Sequence, residues 1–496
     1  MKVVRRIFFL TILLSVTALL PAQEQKETLY FALTDLIATA QSEAPGVQIS
    51  ETKLTNNYWF YQSFLANYKP DIDLVATLPN LNRSIREITL PDGTQQFIES
   101  AFMSNNIGFR LSQNIALTGG NIFAQTDLER LDQFKTDNNP ASTSYLSAPI
   151  VLGFNQPFFG FNRLKWDKLI QPLRYQEAQR EYSEELEQIA YDAAVFFFDV
   201  FNAQISLDAA QRDKANADTL FAISKGRYSV GRIAETELLQ IELSAMTADA
   251  ALSQAMLNLQ TASEGLRNFL GISKAVDFDL TAPTDIPEFE VDASTALRYA
   301  NAHRSKTIEF HRRIKEAEQE IARAKGDNGR NFNLFGRFGL SQTANTLADA
   351  YSNPVDQEQL VFGIEFPIAD WGKAKARTEV ARSNLELERM TIEQERIAFE
   401  QEILLRVKQF DLVRRQVGLS LRAFKASEKR EEITRKRYLI GKIGITELNL
   451  ALREQNESRR SYMSALRAYW LAHYQLRNLT LYDFENDRPL LRSVNR

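Results

Sequence analysis

Side chains that could carry catalysis or hold a metal are few and scattered. The 496-residue chain has three histidines, His303, His311 and His473, and no cysteine. None of the histidines sits in a ligand spacing such as HExxH, and solvated positions on helices are expected for all three. Without cysteine there is no thiol nucleophile, thiolate zinc site or disulfide. Neither a nucleophile–base pair nor a phosphate-cradling glycine loop is present, so the reading is no enzyme, no cofactor and no metal. What does recur at fixed spacing is a turn. Arg227-Tyr228-Ser229-Val230-Gly231-Arg232-Ile233 reappears as Arg437-Tyr438-Leu439-Ile440-Gly441-Lys442-Ile443, followed by Thr236-Glu237-Leu238 and Thr446-Glu447-Leu448. A glycine at that place can take positive φ and close a long helix. The threonine then caps the returning helix or lies in its first turn. The chemistry on offer is that of a helical turn and a recognition surface.

Charge narrows the partners. With 59 basic and 63 acidic residues the net charge is -4, and no block of like charge suggests nucleic acid. Lys2, Arg5 and Arg6 precede an apolar run from Ile7 to Leu20, with Ala22 before Gln23. This reads as a signal peptide over residues 1–22, too short and interrupted to span a bilayer. No later stretch looks apolar enough to cross as a helix, so a membrane role would need a β-barrel. The missing cysteine also removes the usual residue for a lipid anchor.

The two turns belong to a duplication. At an offset of 210, Gly153 matches Gly363, Pro157 matches Pro367, and Leu266-Arg267-Asn268 matches Leu476-Arg477-Asn478, with no gap. Upstream, Asp71 to Leu74 resembles Asn331 to Leu334 at an offset of 260, so the first half carries about 50 more residues between its outer strands. The divisions are a first repeat over 23–270, a linker over 271–291, a second repeat over 292–480 and a tail over 481–496. Each repeat runs as a helix (about 28–66 and 292–327), strands, a long helix (about 162–229 and 372–437) and a return helix (about 234–270 and 444–480).

The strands alternate. Phe332, Leu334, Phe338 and Leu340 oppose Asn333, Arg337 and Ser341; Leu360, Phe362, Ile364, Phe366 and Ile368 oppose Gly363 and Glu365. Ile150, Leu152 and Phe154 oppose Gly153 and Asn155. In the first repeat Ile72, Leu74 and Leu78 alternate with Asp73 and Thr77, and Ile107, Phe109, Leu111, Ile115 and Leu117 with Arg110, Ser112 and Asn114. Barrel strands with lipid on one face and water on the other read this way. A sheet packed on a soluble core alternates identically; the signal peptide and the long helices favour the barrel. A further hairpin, 104–117 and 121–130, turns at Thr118-Gly119-Gly120 and fits either the barrel or an extracellular cap.

The long helical segments, about 66 residues each, would extend roughly 100 Å, more than a globular domain needs. Ala193, Phe197, Val200 and Leu207 form one seam, and Ile403, Val407, Phe410, Val417, Leu421 and Phe424 its copy, at coiled-coil spacing. Gln204 and Arg414 interrupt both seams at one place, either as plain variation or as a polar layer setting register. Pro172 should kink the first long helix or mark a late start.

Duplication, paired strands and twin turns together resemble the TolC-like outer-membrane efflux family over nearly the whole mature chain. The resemblance implies a mixed fold: internally duplicated helical hairpins in a coiled-coil tunnel, and transmembrane β-barrel strands shared across a homotrimer. It implies a passive conduit in the outer membrane, its tunnel in the periplasm, serving a periplasmic adaptor (membrane fusion) protein and an inner-membrane transporter. By position, Val230, Gly231, Arg232, Ile233 and Thr236, with Ile440, Gly441, Lys442, Ile443 and Thr446, are its adaptor-contacting tips. Family irises are held by polar links and lined by acids, which makes Asp199 and Asp411 gate candidates, although a solvated helix face also accounts for them. Linker and tail correspond to an equatorial domain. The chain departs from many members in lacking the anchor cysteine and in its enlarged first extracellular region. A periplasmic coiled-coil scaffold without a pore is the alternative; it explains the helices but not the strands.

Overall fold

The computed structural model describes residues 27–89, 91–136, 140–283 and 286–492; the signal peptide lies outside them. The first repeat comprises β1 (Glu27–Ala32), α1 (Leu33–Glu43), α2 (Pro45–Ala66), β2 (Asp71–Thr89), β3 (Gln95–Ile115), β4 (Gly120–Gln133), β5 (Ser142–Phe158), α3 (Arg163–Ser229) and α4 (Glu235–Leu270). The linker holds β6 (Val276–Thr281), and the second repeat comprises α5 (Ala293–His303), α6 (Ser305–Asp327), β7 (Asn331–Ala344), β8 (Val355–Glu365), α7 (Lys373–Leu439) and α8 (Ile445–Thr480). Two short strands, β9 (Tyr482–Asp483) and β10 (Arg488–Pro489), finish the tail. The long hairpins repeat at the offset of 210 without deviation: α3 and α7 have 67 residues each, α4 and α8 have 36 each.

Several expectations change in the fold. The helix expected over 28–66 starts later and breaks at Ala44, whose extended backbone (ψ 145°) is what Pro45 at the start of α2 imposes. Its counterpart breaks at Arg304 without a proline. There the Glu184 carboxylate accepts from the Ser305 backbone N–H at 2.6 Å, capping α6 from a neighbouring helix. Residues expected to begin the first helix instead form β1, which pairs in parallel with β6 from the linker. α3 runs unbroken through Pro172, with its start capped by the Asn162 side chain. It also holds a stretch that by length and composition alone could cross a membrane, contrary to the sequence reading; 44% of that stretch is buried inside the protein. β8 stops at Glu365, leaving Phe366 and Ile368 in the loop before α7.

Six strands form one antiparallel sheet in the order β2-β3-β4-β5-β7-β8, and the β5–β7 pair joins the repeats. The hairpin of open placement is therefore part of the sheet. Most of what reads as an enlarged extracellular region is sheet too, although β2 and β3 continue together beyond the end of β4 at Gln133. Two prolines of this sheet, Pro79 on β2 and Pro149 on β5, fall where the register shifts and a missing N–H costs no ladder bond, while Pro157 on β5 lies in register opposite Asn333. Gly153 needs its bare Cα, because the Phe123 ring of the adjacent strand lies over it.

The main core sits at the waist, where α1, β6 and α5 pack on the middle of the long helices. Ala190, Ala193 and Ala194 on α3 are fully buried; their small side chains let Leu33 and Leu36 approach closely. Across the waist Phe410 meets Phe289 and Tyr469 at centroid distances of 5.3 and 5.5 Å. Burying such rings is worth roughly 2–3 kcal/mol each. Of the heptad seams found in the sequence, Ala193, Phe197, Val200, Ile403, Val407, Phe410 and Val417 are buried, and Leu207, Leu421 and Phe424 are half-buried.

Candidate functional site

The sheet separates two chemistries. One register row runs Ile72, Leu111, Ala124, Leu152 and Phe338 across five strands, and Leu360, Phe362 and Ile364 extend the apolar band on β8. Ile72 is 71% exposed, Leu360 65% and Phe362 59%. A contiguous band of exposed aliphatic and aromatic side chains is unstable in water and needs an apolar cover. The opposite face carries Asp73, Arg110 and Gln125 in one row and Asp71, Ser112, Arg337 and Gln359 in the next. A soluble-core sheet would bury the apolar side; here it is left bare. Among the described residues both lateral edges, β2 and β8, are open.

Some 67 helical residues, roughly 100 Å, separate this sheet from the tips. Gly231 and Gly441 take φ of 70° and 73°. At each tip the glycine N–H bonds the tyrosine carbonyl (Gly231 to Tyr228, Gly441 to Tyr438, both 2.9 Å), and the next N–H reaches back five residues (Arg232 to Arg227, 2.9 Å; Lys442 to Arg437, 3.0 Å). This satisfies carbonyls that a helix end would leave open. Thr236 and Thr446 are second residues of α4 and α8, so they lie in the first turn and do not cap. Val230 and Ile440 project at 68% and 67% exposure beside exposed Arg232 and Lys442, and Ile233 and Ile443 tuck under as half-buried side chains.

The two tips are not equivalent. Tyr438 is buried with Ile241, Ile445 and Leu448, whereas its repeat mate Tyr228 is 42% exposed. Arg227 on α3 donates to the Leu439 carbonyl at 3.0 Å and lies 5.6 Å from the Tyr438 ring centroid. Buried Ser224 and Tyr438 bring their hydroxyls to 3.4 Å. The sequence showed Arg227 and Tyr438 only as repeated residues. Which arginine and which tyrosine are used depends on the side each hairpin turns to its neighbour.

The two acids lie elsewhere. Asp199 and Asp411 stand about 30 residues before the tip glycines, roughly 45 Å along their helices. Asp199 pairs with Arg467 at 3.0 Å; Asp411 pairs with Arg414 at 3.2 Å and Arg415 at 2.7 Å. Arg414 also donates to the Phe289 carbonyl at 2.8 Å, which puts Asp411 at the waist.

The polar residues interrupting the seams hold the linker. Gln204 donates to the Phe278 carbonyl (2.5 Å) and accepts from Leu280 N–H (3.2 Å) on β6, while its copy Arg414 grips Phe289 further along. Two repeat-related positions thus clamp successive parts of one segment, which accounts for both without a register-setting layer. The tail closes the same belt: Arg477 near the end of α8 pairs with buried Glu187 (3.1 Å) and with Asp483 of the tail (3.7 Å), and Tyr482 stacks on Tyr299 at 3.7 Å. The expectation of solvated histidines fails for His473. It is buried among Phe289, Trp470 and Tyr474, and burial, with Arg477 nearby, pushes its pKa down to about 3. His303 is half-buried against Tyr299, and His311 is exposed.

The family described as outer membrane efflux protein matches residues 124–272 and 305–480, well over half of the chain. The chain belongs to the outer membrane efflux protein family. It is accordingly an outer-membrane channel of efflux systems. Solved structures of similar fold include the CmeC outer membrane channel of Campylobacter jejuni, at 14% identity and a TM-score of 0.64, covering 90% of this chain and 85% of that one. VceC of Vibrio cholerae follows at 14% and 0.63, covering 90% and 96%. The open state of the Neisseria gonorrhoeae MtrE outer membrane channel follows at 16% and 0.61, covering 90% and 88%. No curated protein sequence matches the chain.

Proposed function

We propose that three copies of this chain close one passive conduit, with a shared barrel in the outer membrane and a helical tunnel in the periplasm. The observation that carries this is the two-faced sheet with both edges unpaired. An edge strand in lipid leaves backbone N–H and C=O groups without water, so β2 must find β8 of the next copy. The tips support the same ring. Tyr438 is buried against the first hairpin within one copy while Tyr228 is exposed, so a head-to-tail contact can repeat around an axis and close.

In this reading the chain performs no chemistry; an inner-membrane transporter supplies the energy. The apex residues Val230, Gly231, Arg232 and Ile233, with Ile440, Gly441, Lys442 and Ile443, meet a periplasmic adaptor, aliphatic knobs flanked by cations suiting a helical partner. Thr236 and Thr446 lie beneath that surface. The contact of Arg227 and Ser224 with Tyr438 and Leu439 holds neighbouring hairpins together and acts as a gate latch. Asp199 and Asp411 contribute charge at the waist, where cations that displace their arginines would loosen the wall. The pore-free scaffold is disfavoured by the exposed apolar band. The test is extraction: the protein should leave membranes only with detergent and run as a trimer. Release in plain buffer as a monomer would overturn the reading.

A further inference from the structure

The second repeat places β7 directly beside β8. Their repeat mates in the first half, β2 and β5, are held apart by β3 and β4. The extra chain equals the difference between the offsets of 260 and 210, about 50 residues. We infer that β3–β4 is an inserted pair of barrel staves, which widens the outer-membrane pore by half.

The inserted strands meet the requirements for crossing a bilayer. Fourteen residue pairs, Phe102–Gln133 to Ile115–Gly120, join them, against the 9–11 residues a tilted strand needs. Their faces follow their neighbours. Ile107, Phe109 and Leu111 lie in register with Ala76, Leu74 and Ile72 of β2, and Ile122 and Ala124 with Phe154 and Leu152 of β5. Phe109 is 55% exposed on that side. Asn106, Arg110, Gln125 and Asp127 share the polar face. A cap above the membrane would have no need to continue either face. Six staves per copy in place of four make eighteen strands in a ring of three. Barrel diameter grows roughly linearly with strand number, and barrels of about 16–18 strands enclose an open aqueous channel. This rests on the ring proposed above, but the ratio of six to four does not depend on the number of copies.

The cysteine-free chain allows a direct test. Phe109→Cys, Ile122→Cys, Arg110→Cys and Gln125→Cys, each alone in the full-length protein in cells, are exposed to a charged, membrane-impermeant maleimide. The inference expects labelling at 110 and 125 at least tenfold faster than at 109 and 122. Equal rates at all four would overturn it, because both faces of a cap are wet. In parallel, deletion of residues 89–138 joins β2 to β5 through a short loop. The barrel diameter of the detergent-purified particle, measured by electron microscopy, should fall to about two-thirds. An unchanged diameter overturns the inference whatever the copy number, whereas a ring of other than three copies that still shrinks by a third overturns only the trimer. If the deleted chain does not fold, the labelling contrast decides.

Discussion

Replacing Arg227 with alanine should unlatch the tunnel. The side chain makes one charge-assisted hydrogen bond to the Leu439 carbonyl and lies over the Tyr438 ring, both between hairpins of one copy. Arg227 is half-exposed, so solvent competes for the bond and its worth falls to about 1 kcal/mol. The ring contact at such a site adds about 0.5 kcal/mol. Together they favour the closed tip by about 1.5 kcal/mol per copy, or roughly tenfold in the closed–open equilibrium. If three copies open in concert the energies add, and the shift reaches roughly a thousandfold. The assay is single-channel current of the purified protein in planar bilayers, with sensitivity of the cells to a large antibiotic as a second readout. Arg437→Ala removes the same charge from the other tip and serves as control. A tenfold rise in open probability indicates independent latches, and a far larger one a concerted iris. Unchanged current in Arg227→Ala, or an equal rise in Arg437→Ala, would refute the latch.

Two further outcomes follow from the tips and the waist. Changing Gly231 and Gly441 to valine forces a β-branched residue to φ near +70°, at a cost of about 1–2 kcal/mol per site from the backbone alone, since no atom lies near the added Cβ. Outer-membrane amounts should stay near normal while export is lost, and normal export would mean that the tips are not the docking surface. Buried His473 should make the protein acid-sensitive. Its pKa is about 3 folded and about 6.5 unfolded, so the unfolded state takes up the proton first, and stability complete above pH 6.5 is lost as pH falls toward 3. At pH 5 the loss is about 2 kcal/mol per copy. Thermal denaturation of wild type and His473→Phe between pH 7 and pH 4.5 checks this: the variant should lose less of its melting temperature, and parallel curves would contradict the assignment.

Local signals made much of the fold legible. Helix ends were readable because Gly231 and Gly441 stop a helix by backbone conformation alone, a property of single residues. Strand faces were readable because alternation has a period of two wherever the chain lies. Long-range partners were not. The break at Arg304 depends on Glu184, more than a hundred residues away, and the first strand on a parallel partner in the linker. His473 looked like any polar residue on a charged helix until Phe289 and the tail covered it.

The sequence by itself determined the duplication, the long hairpins with their glycine tips, and strands with one wet and one apolar face, because each is written in periodicity or in one residue's conformational range. Tertiary structure alone decided three things: that β3 and β4 stand inside the sheet, that Gln204 and Arg414 clamp the linker, and that Tyr438 is buried while Tyr228 is bare. All three depend on partners far along the chain, which local pattern does not record. For the duplicated residues there is a further reason: a repeat presents both copies as equals, and only packing against different neighbours gives each its own surroundings.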